Sequence, residues 1–276
     1  MSIPTVLICG TDDLATACAL RLFRAGFKPV LLAALVPYDL HYFRTFTRAV
    51  YAGAKTIDSI RARTWSNVLE QDLLPMHGNL NDFIQFTLLN NELPIVQPKD
   101  VKRGFVFSAE YVVCLDSAIF TVFKKNFTDS AVLIGLQGET IKDTHYQISV
   151  HKNYLGRVIY PFNKDAFETV VTISSKNTTI KAPSAGIFQA LKEPGQPVFT
   201  GDEIGLIDDL PLTSTSNGII EGQLNSGIFV PAGQPVVEIG SEEHADRLRI
   251  LPSTAFAIAG GVLEAILFDW HRISEI

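Results

Sequence analysis

The first half of the chain alternates short apolar runs with stretches whose apolar residues recur at helical spacing. The run Thr5–Cys9 ends at Gly10, as buried parallel strands do. Asp12 or Asp13 can then begin a helix, because apolar residues follow at positions 14, 17, 20 and 23 before Gly26 ends the pattern. Residues 28–35 form the next apolar run. This order predicts the β–α–β opening of a doubly wound α/β sheet.

The same patterns predict the other elements of the first half. Helices are expected at 38–51 and 80–89, and strands at 55–64, 93–96, 111–115 and 131–134. Residues 145–150 and 156–160 are predicted to be extended, although the pattern leaves their order in a sheet open.

An internal repeat with an offset of 32 residues follows residue 167. Seven residues recur in one register: Ser184, Gly186, Ile187, Gly195, Val198, Gly201 and Ile207 as Ser216, Gly218, Ile219, Gly227, Val230, Gly233 and Ile239. Glycines at matching turn positions imply matching backbone geometry. The repeated pattern resembles half of a barrel-sandwich hybrid, the fold of lipoyl and biotinyl domains. The joint at 208–211 has no lysine, so we expect neither biotin nor lipoate and interpret the module as structural or docking.

The predicted fold class is therefore a Rossmann-like α/β half, an all-β barrel-sandwich-hybrid module of lipoyl/biotinyl type without a carrier lysine, and a C-terminal helix. The expected boundaries are 1–167, 168–245 and 246–276. The last helix should cover 255–268 after an N-cap at Ser253 or Thr254. Gly260 and Gly261 lower its helix propensity, so we expect another backbone to pack closely there, on the N-terminal domain.

Composition narrows the functional classes. A net charge of −6 and the lack of a basic run interleaved with aromatics argue against nucleic acid as a partner. Three widely spaced cysteines suit free thiols in a reducing cytosol. The N-terminus has no signal-peptide pattern, and the apolar stretch 255–267 is too short for ~30 Å of hydrocarbon. We expect a cytoplasmic protein without a membrane span.

The turn after the first strand occupies the place of a dinucleotide fingerprint. Gly10 is present, but Asp12 and Ala15 replace the later glycines. A carboxylate ~4 Å from a phosphate repels it by ~4 kcal/mol at an effective dielectric constant of 20. NAD binding is therefore disfavoured. Asp12 and Asp13 can serve as capping and first-turn residues, or can bind a ligand through a metal ion or a cationic group.

Asp116 follows an apolar strand, at an end where α/β sheets place ligands, although turn formation also explains it. Cys9 continues a buried strand, which favours a core thiol over an activated thiolate. His145 and His151 have no carboxylate at metal-ligand spacing. We therefore predict no catalytic residue and no metal site.

Several motifs together resemble one family. They are G-x-x-D-L-A-T at 10–16, R-L-F-R-A-G-F at 21–27, A-V-Y-x-G at 49–53, L-G-R-V-I at 155–159, the tandem β-module, and A-I-A-G-G-V-L-E-A-I-L at 257–267. This set resembles the YqeB family of accessory proteins in selenium-dependent molybdenum hydroxylase systems. The resemblance implies a cytoplasmic bacterial maturation factor, a client molybdoenzyme, and a molybdenum cofactor or nucleotide as ligand. The chain departs from the family in the first turn, in Gly135–Thr140 and in Leu251–Thr254.

Three hypotheses follow. In the first, the chain is a non-catalytic accessory protein that binds a cofactor precursor or a client enzyme. Its site would consist of Gly10, Thr11, Asp12, Asp13, Asp116, Gly135 and Gly138. In the second, it is a nucleotide-dependent oxidoreductase-like enzyme. In the third, it is a non-catalytic scaffold that has lost its ligand site and recruits a partner through an apolar patch on the β-module. The pattern does not give an oligomeric state.

Overall fold

The computed structural model describes residues 3–73, 78–138, 144–162, 177–241 and 248–274. The chain folds into two compact units. Unit 1 comprises the described residues within 1–35, 48–173 and 251–276, and unit 2 those within 36–47 and 174–250. Residues 36–47 thus belong to unit 2 although they lie in the first half of the chain.

Unit 1 is built on a nine-stranded sheet with the order β3-β4-β5-β2-β1-β6-β7-β8-β9. The seven inner strands, from β4 to β8 in this order, are parallel, while the hairpin partner β3 and the last strand β9 are antiparallel. The strands are β1 (Thr5–Cys9), β2 (Lys28–Leu32), β3 (Ala54–Ile57), β4 (Ile60–Thr64), β5 (Leu93–Val96), β6 (Tyr111–Cys114), β7 (Val132–Leu136), β8 (Tyr146–Ile148) and β9 (Val158–Ile159).

Six α-helices occur in the described residues: α1 (Asp13–Arg24), α2 (Thr47–Ala52), α3 (Trp65–Glu70), α4 (Leu80–Leu89), α5 (Ser117–Phe123) and α6 (Ser253–Ser274). The predicted positions of β1, α1, α4 and β5 are confirmed. Short 3₁₀ helices cover Pro98–Asp100 and Lys124–Asn126. A core on one face of the sheet joins Leu7 and Leu32 to Phe83, Phe120 and Phe123, all buried.

The prediction of a Rossmann-like half is wrong, because the sheet is mixed, with an antiparallel strand at each edge, rather than all-parallel. The predicted single strand at 55–64 is a β3–β4 hairpin that adds an antiparallel edge. Its two-residue turn, Asp58-Ser59, has φ values of 46° and 68°. Such turns favour Asn-Gly or Asp-Gly, so a turn without glycine gave no hairpin signal in the sequence.

The helix predicted at 38–51 is also wrong over most of its length, since α2 covers only Thr47–Ala52. Asp39 explains the difference. Its Oδ1 accepts a hydrogen bond from the His41 backbone N–H (2.8 Å), and its Oδ2 accepts one from Thr45 Oγ1 (2.7 Å). Local bonds of this kind compete with helix formation.

Helix α6 packs along α1 within unit 1. By length and composition alone α6 could cross a membrane. However, Ala255, Ala259, Val262, Ala265 and Ile266 are fully or almost fully buried. Contacts inside unit 1 thus cover this face of α6, as in the core helix of a globular domain.

Unit 2 contains two four-stranded antiparallel sheets, with the orders β10-β17-β15-β12 and β14-β13-β11-β16. The strands are β10 (Thr178–Lys181), β11 (Gly186–Ala190), β12 (Pro197–Val198), β13 (Glu203–Ile207), β14 (Leu210–Thr213), β15 (Gly218–Gln223), β16 (Ile228–Val230) and β17 (Pro235–Gly240). The 32-residue offset relates β10–β13 to β14–β17, and each sheet takes two strands from each repeat.

The predicted assignment of this region to a barrel-sandwich hybrid of lipoyl/biotinyl type is wrong. Unit 2 is a pair of antiparallel sheets that also incorporates residues 36–47. The Gln223 backbone N–H donates to the Leu40 oxygen (2.7 Å), and His41 Nε2 lies 3.5 Å from a Glu238 carboxylate oxygen. The repeat alone could not reveal this distant segment.

Candidate functional site

The strand order brings the predicted site residues to one edge of the large sheet. β1 lies between β2 and β6. The chain runs from β1 to β2 on one side, and it crosses from β5 to β6 on the other side. Cys9 pairs with Cys114 of β6, and Cys114 pairs with Gly135 of β7. Because these strands are parallel, the residues that follow them share the carboxyl edge, where open α/β sheets bind ligands.

The Gly10–Asp13 turn is closed by its own hydrogen bonds. Gly10 has φ +143° and donates its N–H to the Leu32 oxygen (2.9 Å), and a Cβ there would lie 3.0 Å from that of Ala15. Asp12 is the N-cap of α1, and its Oδ1 accepts a hydrogen bond from the Ala15 N–H (3.0 Å). Thr16 Oγ1 donates to the oxygen of the buried Thr11 (3.0 Å). The turn is therefore a preformed structure with Asp13 half-buried beside it.

Asp116 has the same role on the neighbouring strand. It is the N-cap of α5, where its Oδ1 accepts a hydrogen bond from the Ile119 N–H at 2.9 Å. Two adjacent strands therefore end in exposed capping carboxylates, Asp12 and Asp116. A carboxylate suits this position because the start of a helix carries unsatisfied N–H groups and a partial positive charge.

The two predicted glycines differ in environment. Gly135 is buried in β7, and a Cβ there would lie 2.8 Å from Cγ2 of Thr144. Gly138 is exposed in the turn after β7, with φ +84°. The rest of this predicted segment, residues 139 and 140, lies outside the described residues. Of the pair, Gly138 is the one whose backbone faces solvent.

Electrostatics at this edge favour protonated thiols and cationic ligands. The pKa of Cys9 is raised chiefly by burial, then by the hydrogen bond and charge of Cys114, and lastly by the charge of Asp116. Burial, then the charge of Asp12, raises the pKa of Cys18 above its usual range. Cys9 thus remains a core thiol. Within the described ranges, no group of three His, Cys, Asp or Glu residues is placed to hold a metal ion.

Two further arrangements gave no sequence signal. In unit 1, Asp269 of α6 accepts hydrogen bonds from the hydroxyl groups of Tyr111 (3.2 Å) and Tyr146 (2.8 Å). In unit 2, Ile187 and Phe229 are cross-strand partners on the outer face of the β14-β13-β11-β16 sheet, and their exposed fractions are 51% and 60%. The first joins residues more than 100 positions apart, and the second depends on strand pairing, so neither could be read from local patterns.

In sequence the chain is similar to the uncharacterized protein YqeB of Escherichia coli strain K12. The two are 28% identical over 279 aligned positions, which cover 97% of this chain and 48% of the relative. The chain thus spans about half the length of the curated relative it matches. No known family profile matches the chain. The similarity supports the predicted resemblance to YqeB proteins.

Among solved structures, similarity is lower. The product-bound ectoine utilization protein EutE (DoeB) from Ruegeria pomeroyi has a TM-score of 0.25 and 15% identity, covering 87% of this chain and 86% of that one. A succinylglutamate desuccinylase/aspartoacylase from Rhodobacter sphaeroides has a TM-score of 0.24 and 12% identity, covering 86% and 85%. TM-scores this low do not assign the chain to the fold of either protein. The strand topology given above defines its fold.

Proposed function

We propose that this chain is a cytoplasmic, non-catalytic accessory protein of a molybdenum hydroxylase system. It binds a cofactor precursor or a client enzyme at the carboxyl edge of its large sheet. The observation that carries the proposal is the convergence of the Gly10–Asp13 turn, Asp116 and Gly138 at the ends of three adjacent parallel strands.

The carboxylates at this edge suit ligand binding. Asp12 and Asp116 each accept a backbone N–H of their own helix through one carboxylate oxygen, Oδ1. These bonds fix the orientation of two exposed carboxylates, which suits hydrogen-bond donors or cationic groups on a bound ligand.

The molybdenum part of the proposal rests on sequence resemblance to YqeB proteins. The segment 257–267, which carries much of that resemblance, forms the middle of α6. A client molybdoenzyme is the partner that the resemblance implies.

The test is native mass spectrometry of the protein purified from its own host. Asp13→Asn keeps the side-chain shape and removes the charge, while Asp129→Ala removes an exposed aspartate elsewhere in unit 1. We expect wild type and Asp129→Ala to retain the same small molecule or hydroxylase, and Asp13→Asn to lose most of it. Equal retention by all three proteins, or no bound species in any of them, would contradict the proposal.

A second candidate function is a scaffold that recruits a protein partner through unit 2. The exposed pair Ile187 and Phe229 favours it, together with Leu206 and Pro211, which the strand register places on the same face. Apolar side chains grouped on one exposed sheet face are typical of interaction sites.

A dinucleotide-dependent enzyme is the least favoured alternative. Phosphate groups bind the free N–H groups at a helix start. In α1 the carboxylate of Asp12 already accepts the Ala15 N–H and would repel a phosphate. Titration with NAD is the direct measurement, and micromolar affinity would reinstate this alternative.

A further inference from the structure

Unit 1 contains a cavity that none of the predicted site residues lines. The segment after β5 and the end of α5 line an open cavity of about 600 Å³. This volume is within the ~300–1,000 Å³ range of small-molecule sites. Its lining includes Val101, Phe105, Val106, Val122 and Phe123. Val106 and Val122 are each about half exposed, so the apolar wall is open to a ligand.

The charged residues that line this cavity are all cationic. They are Lys102, Arg103 and Lys125, and each is exposed. The chain as a whole carries a net charge of −6, so the charge of this cavity is opposite in sign to that of the whole chain. Contrary to the expectation that no basic run is interleaved with aromatics, the chain has Lys99, Lys102, Arg103, Phe105 and Phe107 within nine residues. The structure adds Lys125 to this set.

Backbone hydrogen bonds hold the cavity wall in place. The Phe105 N–H donates to the Lys102 oxygen (3.1 Å), which closes a tight turn with Gly104 at φ +82°. Asn126 Nδ2 donates to the Phe105 oxygen (2.7 Å), and the Phe107 N–H donates to the Asn126 oxygen (2.8 Å). Asn126 is buried, so these bonds join the cationic turn firmly to the end of α5.

A smaller cavity of about 170 Å³ adjoins the first, because Lys102 and Phe105 line both. Trp65, Asn79 and Asn81 also line it. In the described part of the chain, the buried Trp65 Nε1 has no hydrogen-bond partner. Asp100 is the one carboxyl group lining either cavity, and its Oδ2 accepts a hydrogen bond from the Gln97 N–H (2.8 Å).

We propose that the larger cavity binds a small organic anion, namely an aromatic or aliphatic body that carries a phosphate group. Lys102, Arg103 and Lys125 hold the phosphate, since Arg and Lys are the side chains that recognise it. Phe105, Val106 and Val122 contact the apolar body. This site is independent of the proposed function at the carboxyl edge.

The probe is 1-naphthyl phosphate, titrated into the full chain by isothermal calorimetry, with 1-naphthol and inorganic phosphate titrated separately. We expect 1-naphthyl phosphate to bind more tightly than either part alone. The Lys102→Ala/Arg103→Ala variant should bind it at least about tenfold more weakly, since the loss of one hydrogen bond to a charged group lowers affinity by about this factor. Raising the salt concentration should weaken wild-type binding, because the cations are exposed.

The matched control is Lys28→Ala/Lys181→Ala, which removes the same charge at two exposed positions that do not line the cavity. It should bind as wild type does, and both double variants should keep the wild-type unfolding midpoint. Equal loss in both variants, unchanged affinity in Lys102→Ala/Arg103→Ala, or no binding at all would overturn the proposal. So would a preference for an acidic peptide over 1-naphthyl phosphate.

Discussion

Gly261 of α6 lies directly against Gly156, so that a Cβ on Gly261 would be 2.1 Å from the Gly156 carbonyl oxygen. Gly156 also lies against the helix backbone one turn earlier, since a Cβ on Gly156 would be 2.3 Å from the Ala257 oxygen. Gly156 also has φ +81°, which favours glycine. The helix and the loop before β9 thus touch backbone to backbone.

Gly261→Ala should lower the free energy of unfolding by about 1–3 kcal/mol, because the added methyl group overpacks this contact. The neighbouring Gly260→Ala is the control. Its Cβ would meet only Arg21 Nη1, at 3.2 Å, near the end of a flexible side chain. There the higher helix propensity of alanine, up to ~1 kcal/mol, should leave stability unchanged or improved. Urea unfolding of the two variants checks this, and equal effects would contradict the backbone contact.

Asp116→Ala should destabilise unit 1 by about 1 kcal/mol, because the first turn of α5 loses its capping acceptor. Asp116→Asn keeps an oxygen in the same place and should remain within a few tenths of a kcal/mol of wild type. Thermal or urea unfolding separates the two. An equal loss in both variants would mean that the charge of Asp116, rather than its capping bond, stabilises the fold.

Tyr146 gives a pH dependence with a definite sign. The pKa of Tyr146 is raised to about 12, first by burial and then by the hydrogen bond to Asp269 and the negative charge of that residue. Below pH ~10, the ordinary pKa of tyrosine, the stabilisation that follows from the raised pKa of Tyr146 is fully present. Stability should therefore fall as pH rises from about 10 through 12, where only the unfolded chain has released the proton.

Asp269→Asn should move the titration of Tyr146 and Tyr111 to lower pH, since it removes the negative charge beside their hydroxyl groups. The shift should be partial, because burial is the larger cause and remains. Tyrosinate absorbance measures it. Glu264→Gln is the control, since Glu264 accepts from Tyr160 (2.7 Å) instead.

Replacing Ile187 and Phe229 by serine should hardly change stability, since both side chains are exposed on the outer sheet face. If unit 2 recruits a partner there, this variant should lose that partner in pull-down from the host, whereas Phe199→Ser should not. Phe199 is equally apolar and 63% exposed but lies outside the strands.

By contrast, Phe188→Ala should lower the free energy of unfolding by ~3–5 kcal/mol, because Phe188 is fully buried.

The sequence predicted the central parallel strands well because each is a short apolar run buried on both faces, and such runs are visible locally. The hairpin at Asp58-Ser59 was not predicted because its turn has no glycine. The helix predicted over residues 38–46 is absent because hydrogen bonds to Asp39 take its place. These local exceptions, together with the distant incorporation of residues 36–47 into unit 2, made the predicted fold class wrong.

The predicted site residues share an edge because β1, β6 and β7 are adjacent and parallel, and the β–α–β pattern had indicated only that the strands would be parallel. The cationic cavity was missed for a physical reason. Lys102 and Arg103 are adjacent in sequence, but only the fold brings Lys125 and the wall formed by Val122 beside them. Charge runs along the chain do not reveal clusters formed by chain crossing.

The exchange of strands between the two repeats of unit 2 has a consequence for folding. Each sheet needs β-strands from both copies, so neither copy of about 32 residues has a hydrophobic core of its own. Cutting the chain at Asp208-Asp209 should therefore leave the separated β10–β13 and β14–β17 segments unable to form either sheet of unit 2, and both sheets should form again when the two fragments are mixed. A single copy of the repeat could complete the same two sheets only by pairing with a second copy in a symmetric homodimer.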